Sequence, residues 1–176
     1  HARPSGASGA FPLISTGASL SRLADGSVEM IRTLDPAHDV YLNDHRLDGK
    51  PVFPMAMALE LMAEAAAAGW PDLHVIEMKE LRLLRGLVLD HDSQSLRVSA
   101  TPSSSATRDG LDIEISIAGV APQAPPHYKA IACMRSRLPS VPSREAFALK
   151  DVVSLPFSVE EMYRQWLFHG PLMAGI

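Results

Sequence analysis

The chain has 176 residues, 47% of them hydrophobic, and a net charge of -4 from 16 basic and 20 acidic residues. This length and apolar content allow one sizeable core, and favour one domain or slightly more. The basic residues are scattered, which argues against nucleic acid as a partner, and no apolar run reaches the roughly 20 residues that cross a bilayer. We therefore expect a soluble protein with no membrane partner.

The single cysteine, Cys133, lies in the alternating segment YKAIACMRSRL. This pattern predicts a small buried hydrophobe on a strand rather than a reactive thiol. One cysteine cannot form an internal disulfide, so we expect a cytoplasmic protein. The chain begins at His1, and HARPSGASGAF is unlike a secretory signal, so we interpret the chain as a piece of a longer polypeptide.

The first elements along the chain are a leading segment, a strand and a helix. Residues 1–26 are rich in small and turn-forming residues, and GSVEMIRTL (26–34) predicts a strand. The long apolar segment after residue 54 predicts a helix over 55–68. Pro54 opens it where a missing N–H costs nothing, and Gly69 closes it.

The segments after this helix alternate in polarity and are separated by turn clusters such as SSSATRDG and APQAPP. They predict four or five antiparallel strands. A helix that is apolar on nearly all sides must be buried on nearly all sides. A curved antiparallel sheet formed by the strands that follow, wrapped around this one central helix, would bury it. The predicted fold class is therefore α+β, a hotdog fold, over residues 27–138. Its later strands are expected within 73–90, 94–102, 110–119 and 127–138.

A linker and a second helix are predicted beyond this unit. Ser and Pro in RLPSVPSREAF indicate a linker over 139–157. Ser158 and Glu161 have the spacing of a capping box, and the helix that they begin is expected to stop at Gly170.

Residues 44–66, DHRLDGKPVFPMAMALELMAEAA, hold His45, Gly49 and Pro54 in the spacing HxxxGxxxxP. With LRLLRGLVLD and YRQWLFHGP, this segment resembles dehydratase domains of iterative polyketide synthases of the enediyne type, and those of polyunsaturated-fatty-acid synthases. The resemblance covers most of the chain. It implies the first half of a double hotdog, with residues 158–176 starting the second half.

The resemblance implies removal of water from a β-hydroxyacyl chain on an acyl carrier protein, with no cofactor and no metal. The other expected partners are the second hotdog half and further synthase domains. A neutral imidazole at His45 can take the acidic α-proton. Gly49 permits a tight turn, and amides at Met55 and Ala56, just after Pro54, can polarise the thioester carbonyl.

Other roles for these groups remain open. His45 can be a structural loop histidine, and His38, Asp39, Asp44 and Asp48 can with it be read as a metal cluster. These groups lack a compact repeated ligand spacing, so we predict no metal. The rivals to a dehydratase are a hotdog acyl-thioesterase and a non-catalytic hotdog that binds acyl chains or holds synthase domains together.

Two glutamates stand four residues apart on the predicted helix, where like charges are mutually unfavourable. In the single-hotdog dehydratases of bacterial fatty-acid synthesis, which this segment also resembles, the place of Glu60 holds the catalytic acid, supplied by the neighbouring protomer of a homodimer. In double-hotdog dehydratases the acid is an aspartate of the second half. We favour a structural or tunnel-orienting role for Glu60, and expect Glu64 to be solvated or hydrogen-bonded at the helix end.

The tail HGPLMAGI departs from the GPxFQ of polyketide dehydratases, because Met173 and Ala174 replace an aromatic residue and an amide. This difference leaves open how the substrate tunnel is formed. His169 is expected to contact substrate or simply to end the helix. The remaining histidines, His74, His91 and His127, are expected to face solvent.

Overall fold

The computed structural model describes residues 11–15, 18–90, 93–103, 109–140, 143 and 152–173. A six-stranded antiparallel sheet curves around one long helix, and a two-stranded hairpin precedes that helix. In chain order the elements are α1 (Pro12–Ser15), β1 (Ser19–Arg22), β2 (Val28–Leu34), β3 (Arg46–Leu47), β4 (Lys50–Pro51), α2 (Met55–Gly69), β5 (His74–Leu83), β6 (Gln94–Pro102), β7 (Gly110–Gly119), β8 (Pro126–Arg135) and α3 (Val159–Gln165).

The sheet has the strand order β1-β2-β6-β7-β8-β5, and every pairing within it is antiparallel. Alternating residues of β2, β6 and β7 are buried, which is what a sheet with one face on a core requires. The predicted α+β hotdog fold and its strands after residue 73 are confirmed.

Helix α2 fills the inside of the curved sheet. The predicted helix over 55–68 is confirmed, with bounds Met55–Gly69. Leu61, Met62 and Ala65 on its inner side are buried against the sheet. None of the helices within the described ranges has the length and apolar content needed to cross a membrane.

Two short elements before β2 were not predicted from the sequence. Strand β1 pairs with β2 at one edge of the sheet, and all four of its residues are exposed. Helix α1 places Leu13 in the same core cluster as Leu61 of α2. The described part of the leading segment therefore packs against the hotdog, while the division at residue 27 stays a prediction.

Helix α3 begins as predicted and ends earlier. Ser158 accepts a hydrogen bond from the amide of Glu161, whose side chain accepts from the amide of Ser158, so the capping box is present. The helix ends at Gln165 and not at Gly170, because the chain after it extends to pair with the loop that carries His45. Most of the predicted linker 139–157 lies outside the described residues.

The predicted solvent exposure of His127 is wrong. His127 is only 7% exposed. Its Nδ1 lies 3.2 Å from the carbonyl oxygen of Arg85. The imidazole is thus buried by a loop distant in sequence. His74 is exposed as predicted, and His91 lies outside the described residues.

Candidate active site

A tight hairpin leads into the site. Strands β3 and β4 are joined by Asp48 and Gly49, whose φ angles of 50° and 77° are both positive. A two-residue turn with two positive φ angles matches the twist of a hairpin, and Asp-Gly is a preferred sequence for it. Gly49 therefore acts through the backbone: it turns the chain so that Val52 returns to the side of His45.

His45 is held by Val52 through both the backbone and the ring. The amide of Val52 donates to the carbonyl oxygen of His45 at 2.9 Å, and Nδ1 of the imidazole lies 2.8 Å from the carbonyl oxygen of Val52. A carbonyl can only accept, so this contact assigns the proton to Nδ1. The neutral ring then carries its lone pair on Nε2, which is the form that a general base needs.

The segment Pro51–Phe53 is fixed on its other side by the loop after β5. Leu89 donates its amide to the carbonyl oxygen of Pro51, and Phe53 donates to that of Leu87, both at 2.9 Å. The hydroxyl of Tyr128 donates to the carbonyl oxygen of Phe53 at 2.8 Å. Burial raises the pKa of Tyr128 to about 12, so its phenol stays a donor at neutral pH. The carbonyl oxygen of Val52, which accepts from the His45 ring, therefore lies on a segment held by hydrogen bonds on both sides of it.

Pro54, Met55 and Ala56 form the start of α2. Pro54 is the N-cap residue, with φ −66° and ψ 142°, and its carbonyl oxygen accepts the amide of Ala58 at 2.9 Å. The first amides of an α-helix have no carbonyl partner within the helix, and here these include the amides of Met55 and Ala56. Met55 and Ala56 are exposed, so this positive end of the helix dipole is open to a ligand.

The structure brings His169 to His45, which are distant in sequence. Their backbones form an antiparallel bridge, and the centroids of their rings are 5.4 Å apart. The ring of Phe168 stands edge-on to His45 at 5.2 Å and is stacked on His169 at 4.1 Å. Three rings thus lie together at the candidate site, and sequence reasoning had missed Phe168.

The two helix glutamates have different surroundings. Glu60 is exposed and lies along a groove that it shares with Ala63 and Pro71, whereas His45 is not among the residues that line this groove. Glu60 and His45 therefore do not share this groove.

The prediction that Glu64 is solvated is wrong, and the alternative that it is hydrogen-bonded is confirmed. Its side chain is 4% exposed and accepts the backbone amides of Leu13 and Ile14 at 2.9 and 3.0 Å. Burial raises the pKa of this carboxyl, and these hydrogen bonds oppose the shift.

Three of the groups that the sequence offers as metal ligands, Asp39, His38 and Asp44, have other partners. Asp39 is buried and forms a 2.6 Å ion pair with Arg32, whose Nε donates to the carbonyl oxygen of Leu13. His38 contacts Asp35 at 3.0 Å, and Asp44 accepts the amide of Leu172. Across the described residues, no three His, Cys, Asp or Glu side chains are grouped as metal ligands.

Cys133 lies on β8 with 1% of its surface exposed. Burial is the main cause that raises the pKa of its thiol, and contact with Lys79 opposes this. A buried thiol with a raised pKa is a poor nucleophile. The sequence-based prediction of a packing role is confirmed.

The chain is similar in sequence to known proteins. The family model of the polyketide synthase dehydratase domain matches residues 12–117. A polyunsaturated fatty acid synthase polypeptide of Thraustochytrium sp. is 22% identical over 157 residues, which are 88% of this chain and 6% of that protein. The polyketide synthase ThaG of Burkholderia thailandensis is 31% identical over 141 residues, which are 74% of this chain and 2% of that protein. The chain thus spans only a small part of these relatives.

The fold is also that of a solved dehydratase. The dehydratase domain from the CurF module of curacin polyketide synthase superposes with a TM-score of 0.67 at 20% sequence identity. The match covers 90% of this chain and 59% of that one. Since the family model covers more than half of the sequence, the chain belongs to the polyketide synthase dehydratase domain family.

Proposed function

We propose that this domain removes water from a β-hydroxyacyl chain, carried as a thioester on an acyl carrier protein, to give an enoyl thioester. The observation that carries the proposal is the contact of the His45 ring with Val52, since it places the ring proton on Nδ1 and so, in the neutral tautomer, the lone pair on Nε2. The reaction needs such a base for the α-proton and an acid for the departing hydroxyl.

The reaction begins when Nε2 of His45 takes the α-proton of the substrate. Negative charge then develops on the thioester carbonyl oxygen. The amides at Met55 and Ala56 are the groups we propose to face that oxygen, because they lie at the exposed positive end of α2. Loss of the β-hydroxyl, which takes up a proton as it leaves as water, completes the double bond.

The acid that protonates the hydroxyl is proposed to come from a second hotdog. Within the described residues Glu60, a carboxylate of α2, lies in a groove that His45 does not line. We accordingly propose that the domain is the first half of a double hotdog of the enediyne type. Glu60 then orients the substrate tunnel, and His169 contacts the acyl chain beside His45.

The proposed setting is a multidomain synthase. Both curated relatives are named as synthases and are far longer than this chain, which supports partnership with further synthase domains and an acyl carrier protein. A homodimer of the chain is the alternative assembly. The buried thiol of Cys133 supports a cytoplasmic setting, where such thiols stay reduced.

The test compares the parent and His45→Ala in the complete double-hotdog protein, with a β-hydroxyacyl carrier-protein substrate. We expect loss of dehydration with the fold retained, because His45 is half-buried in a loop and is not part of the hydrophobic core cluster. Glu29→Gln, a change on β2, serves as the matched control. Near-parental dehydration by His45→Ala would refute the assignment, and release of thiol without loss of water would identify a thioesterase.

A further inference from the structure

The strap, defined as Leu167–Met173, crosses the loop that carries His45. It begins where α3 ends and bridges to His45 through His169. Two of its side chains, Phe168 and His169, lie with their rings 5.2 and 5.4 Å from that of His45. The position of the strap therefore decides what surrounds one side of the imidazole.

Asp44, the residue before His45, makes two hydrogen bonds to the strap. Its carbonyl oxygen accepts the amide of Gly170 at 2.7 Å, and its Oδ2 accepts the amide of Leu172 at 2.9 Å. The first bond belongs to the backbone and is available to any residue. The second needs a side-chain acceptor of the length of Asp or Asn.

The side chain of Asp44 also occupies the space beside Gly170. A Cβ built on Gly170 would lie 2.3 Å from Oδ1 of Asp44, much closer than non-bonded atoms can approach. The carboxylate is therefore both bonded to the strap and packed against its backbone. A side chain at residue 170 would have to move either the strap or Asp44.

We infer that Asp44 is a positioning residue that holds the strap on His45, and so keeps the imidazole oriented for proton transfer. The first part of this inference, that Asp44 holds the strap, is independent of the proposed function. The second part, that the imidazole is thereby oriented for proton transfer, rests on it. The ring of His45 is then held at two points: Nδ1 by Val52 and one side by Phe168. Without the side-chain acceptor, the strap loses its hydrogen bond at Leu172, and the aromatic contact loosens.

The first measurement is made on the 176-residue chain and does not depend on activity. The ring of Phe168 shifts the NMR signals of the His45 ring protons, and Phe168→Leu defines the signal without this shift. Asp44→Leu keeps the branched shape of the side chain but has no acceptor. We expect its His45 signals to shift toward those of Phe168→Leu. Asp44→Asn keeps an acceptor and should stay near the parent.

Gly170→Ala is a second and independent variant. It retains the carboxylate but places a methyl group where Asp44 lies, so it should displace the strap and reproduce the signal of Asp44→Leu. It also decides the matter if Asp44→Leu fails to fold. Parental His45 signals in both Asp44→Leu and Gly170→Ala would overturn the inference.

The second measurement is dehydration by the complete double-hotdog protein. Misorientation of a catalytic group costs up to about 100-fold in rate, so we expect kcat to fall about 10- to 100-fold in Asp44→Leu with a small change in KM. Asp44→Asn should stay within about threefold of the parent, since it restores the acceptor. Equal kcat in all three proteins would overturn the catalytic part.

The two measurements separate the two proposals. A parent protein that performs no dehydration contradicts the proposed function, and the NMR signals then decide alone whether Asp44 holds the strap. If the parent performs dehydration but the His45 signals of Asp44→Leu and Gly170→Ala equal those of the parent, the proposed function is supported and the inference is overturned.

Discussion

The carboxylate of Glu64 lies 2.9 Å from the backbone nitrogen of Leu13, fifty-one residues earlier in the chain. This contact ties α1 to the middle of α2, and it replaces the water that an exposed glutamate would bind. Burial raises the pKa of the carboxyl, which means that the folded protein binds its proton more tightly than the unfolded chain does.

The first prediction follows from that shift. Because the pKa of Glu64 is raised on folding, its protonation stabilises the fold, and this stabilisation is lost as pH rises through the folded-state pKa. The parent should therefore gain stability relative to Glu64→Gln as pH falls from neutral toward the unfolded value of 4.5. Urea unfolding of both proteins at several pH values measures the difference.

Glu114→Gln is the control for this measurement, since Glu114 is exposed on β7 and is not among the charges that shift the pKa of Glu64. Its stability difference from the parent should change less with pH. A second variant, Glu64→Leu, leaves the amides of Leu13 and Ile14 without an acceptor and should cost about 1–3 kcal/mol at neutral pH. A pH-independent difference between the parent and Glu64→Gln would contradict the prediction.

The second prediction concerns Tyr128. Tyr128→Phe removes the donor to the carbonyl oxygen of Phe53 and should lower the free energy of unfolding by about 1–3 kcal/mol. Because Phe53 precedes the helix start, we also expect kcat for dehydration to fall. Tyr41→Phe is the matched control, as its hydroxyl lies 3.5 Å from Asp39 and makes a weaker contact. Equal unfolding midpoints for the two variants would refute it.

The third prediction is that the chemistry tolerates Cys133→Ser. The thiol is buried on β8, so a hydroxyl in its place should cost about 1–3 kcal/mol of stability without changing the rate of dehydration. Cys133→Ala, which removes the polar atom as well, separates the effect of volume from that of polarity. Complete inactivation of Cys133→Ser at an unchanged melting temperature would show a chemical role.

The fourth prediction distinguishes the two sources of the acid. If the acid comes from a second hotdog, the 176-residue chain and its Glu60→Gln variant should both show negligible dehydration. If two copies of the chain form a dimer in which Glu60 approaches His45 of the partner, the chain should be active and Glu60→Gln should abolish that activity. Robust activity that depends on Glu60 would therefore overturn the double-hotdog proposal.

The sequence predicted the elements whose signals are local. The helix over 55–68 was evident from its apolar run between Pro54 and Gly69, and the strands from their alternation. The capping box of α3 was likewise found, because its two residues stand three positions apart. In these cases the physical cause lies within a few residues of the chain.

The features that sequence reasoning missed depend on contacts between distant segments. Glu64 is buried because Leu13 and Ile14 meet it, and nothing beside Glu64 indicates this. His127 is covered by the loop at Arg85, and α3 ends early because the strap pairs with the loop of His45. The acid at Asp44 was visible beside His45, but its partner Leu172 was not.

The strand order has a consequence for the synthesis of the chain. The strands that contact α2 include β8, which ends at Arg135 and is made long after Gly69. A ribosome adds about 5–20 residues per second. The apolar side of α2 is therefore synthesised several seconds before β8, which packs against it. A pause in translation between Gly69 and Arg135 would prolong that exposure, and with it the interval in which the nascent chain is prone to aggregate.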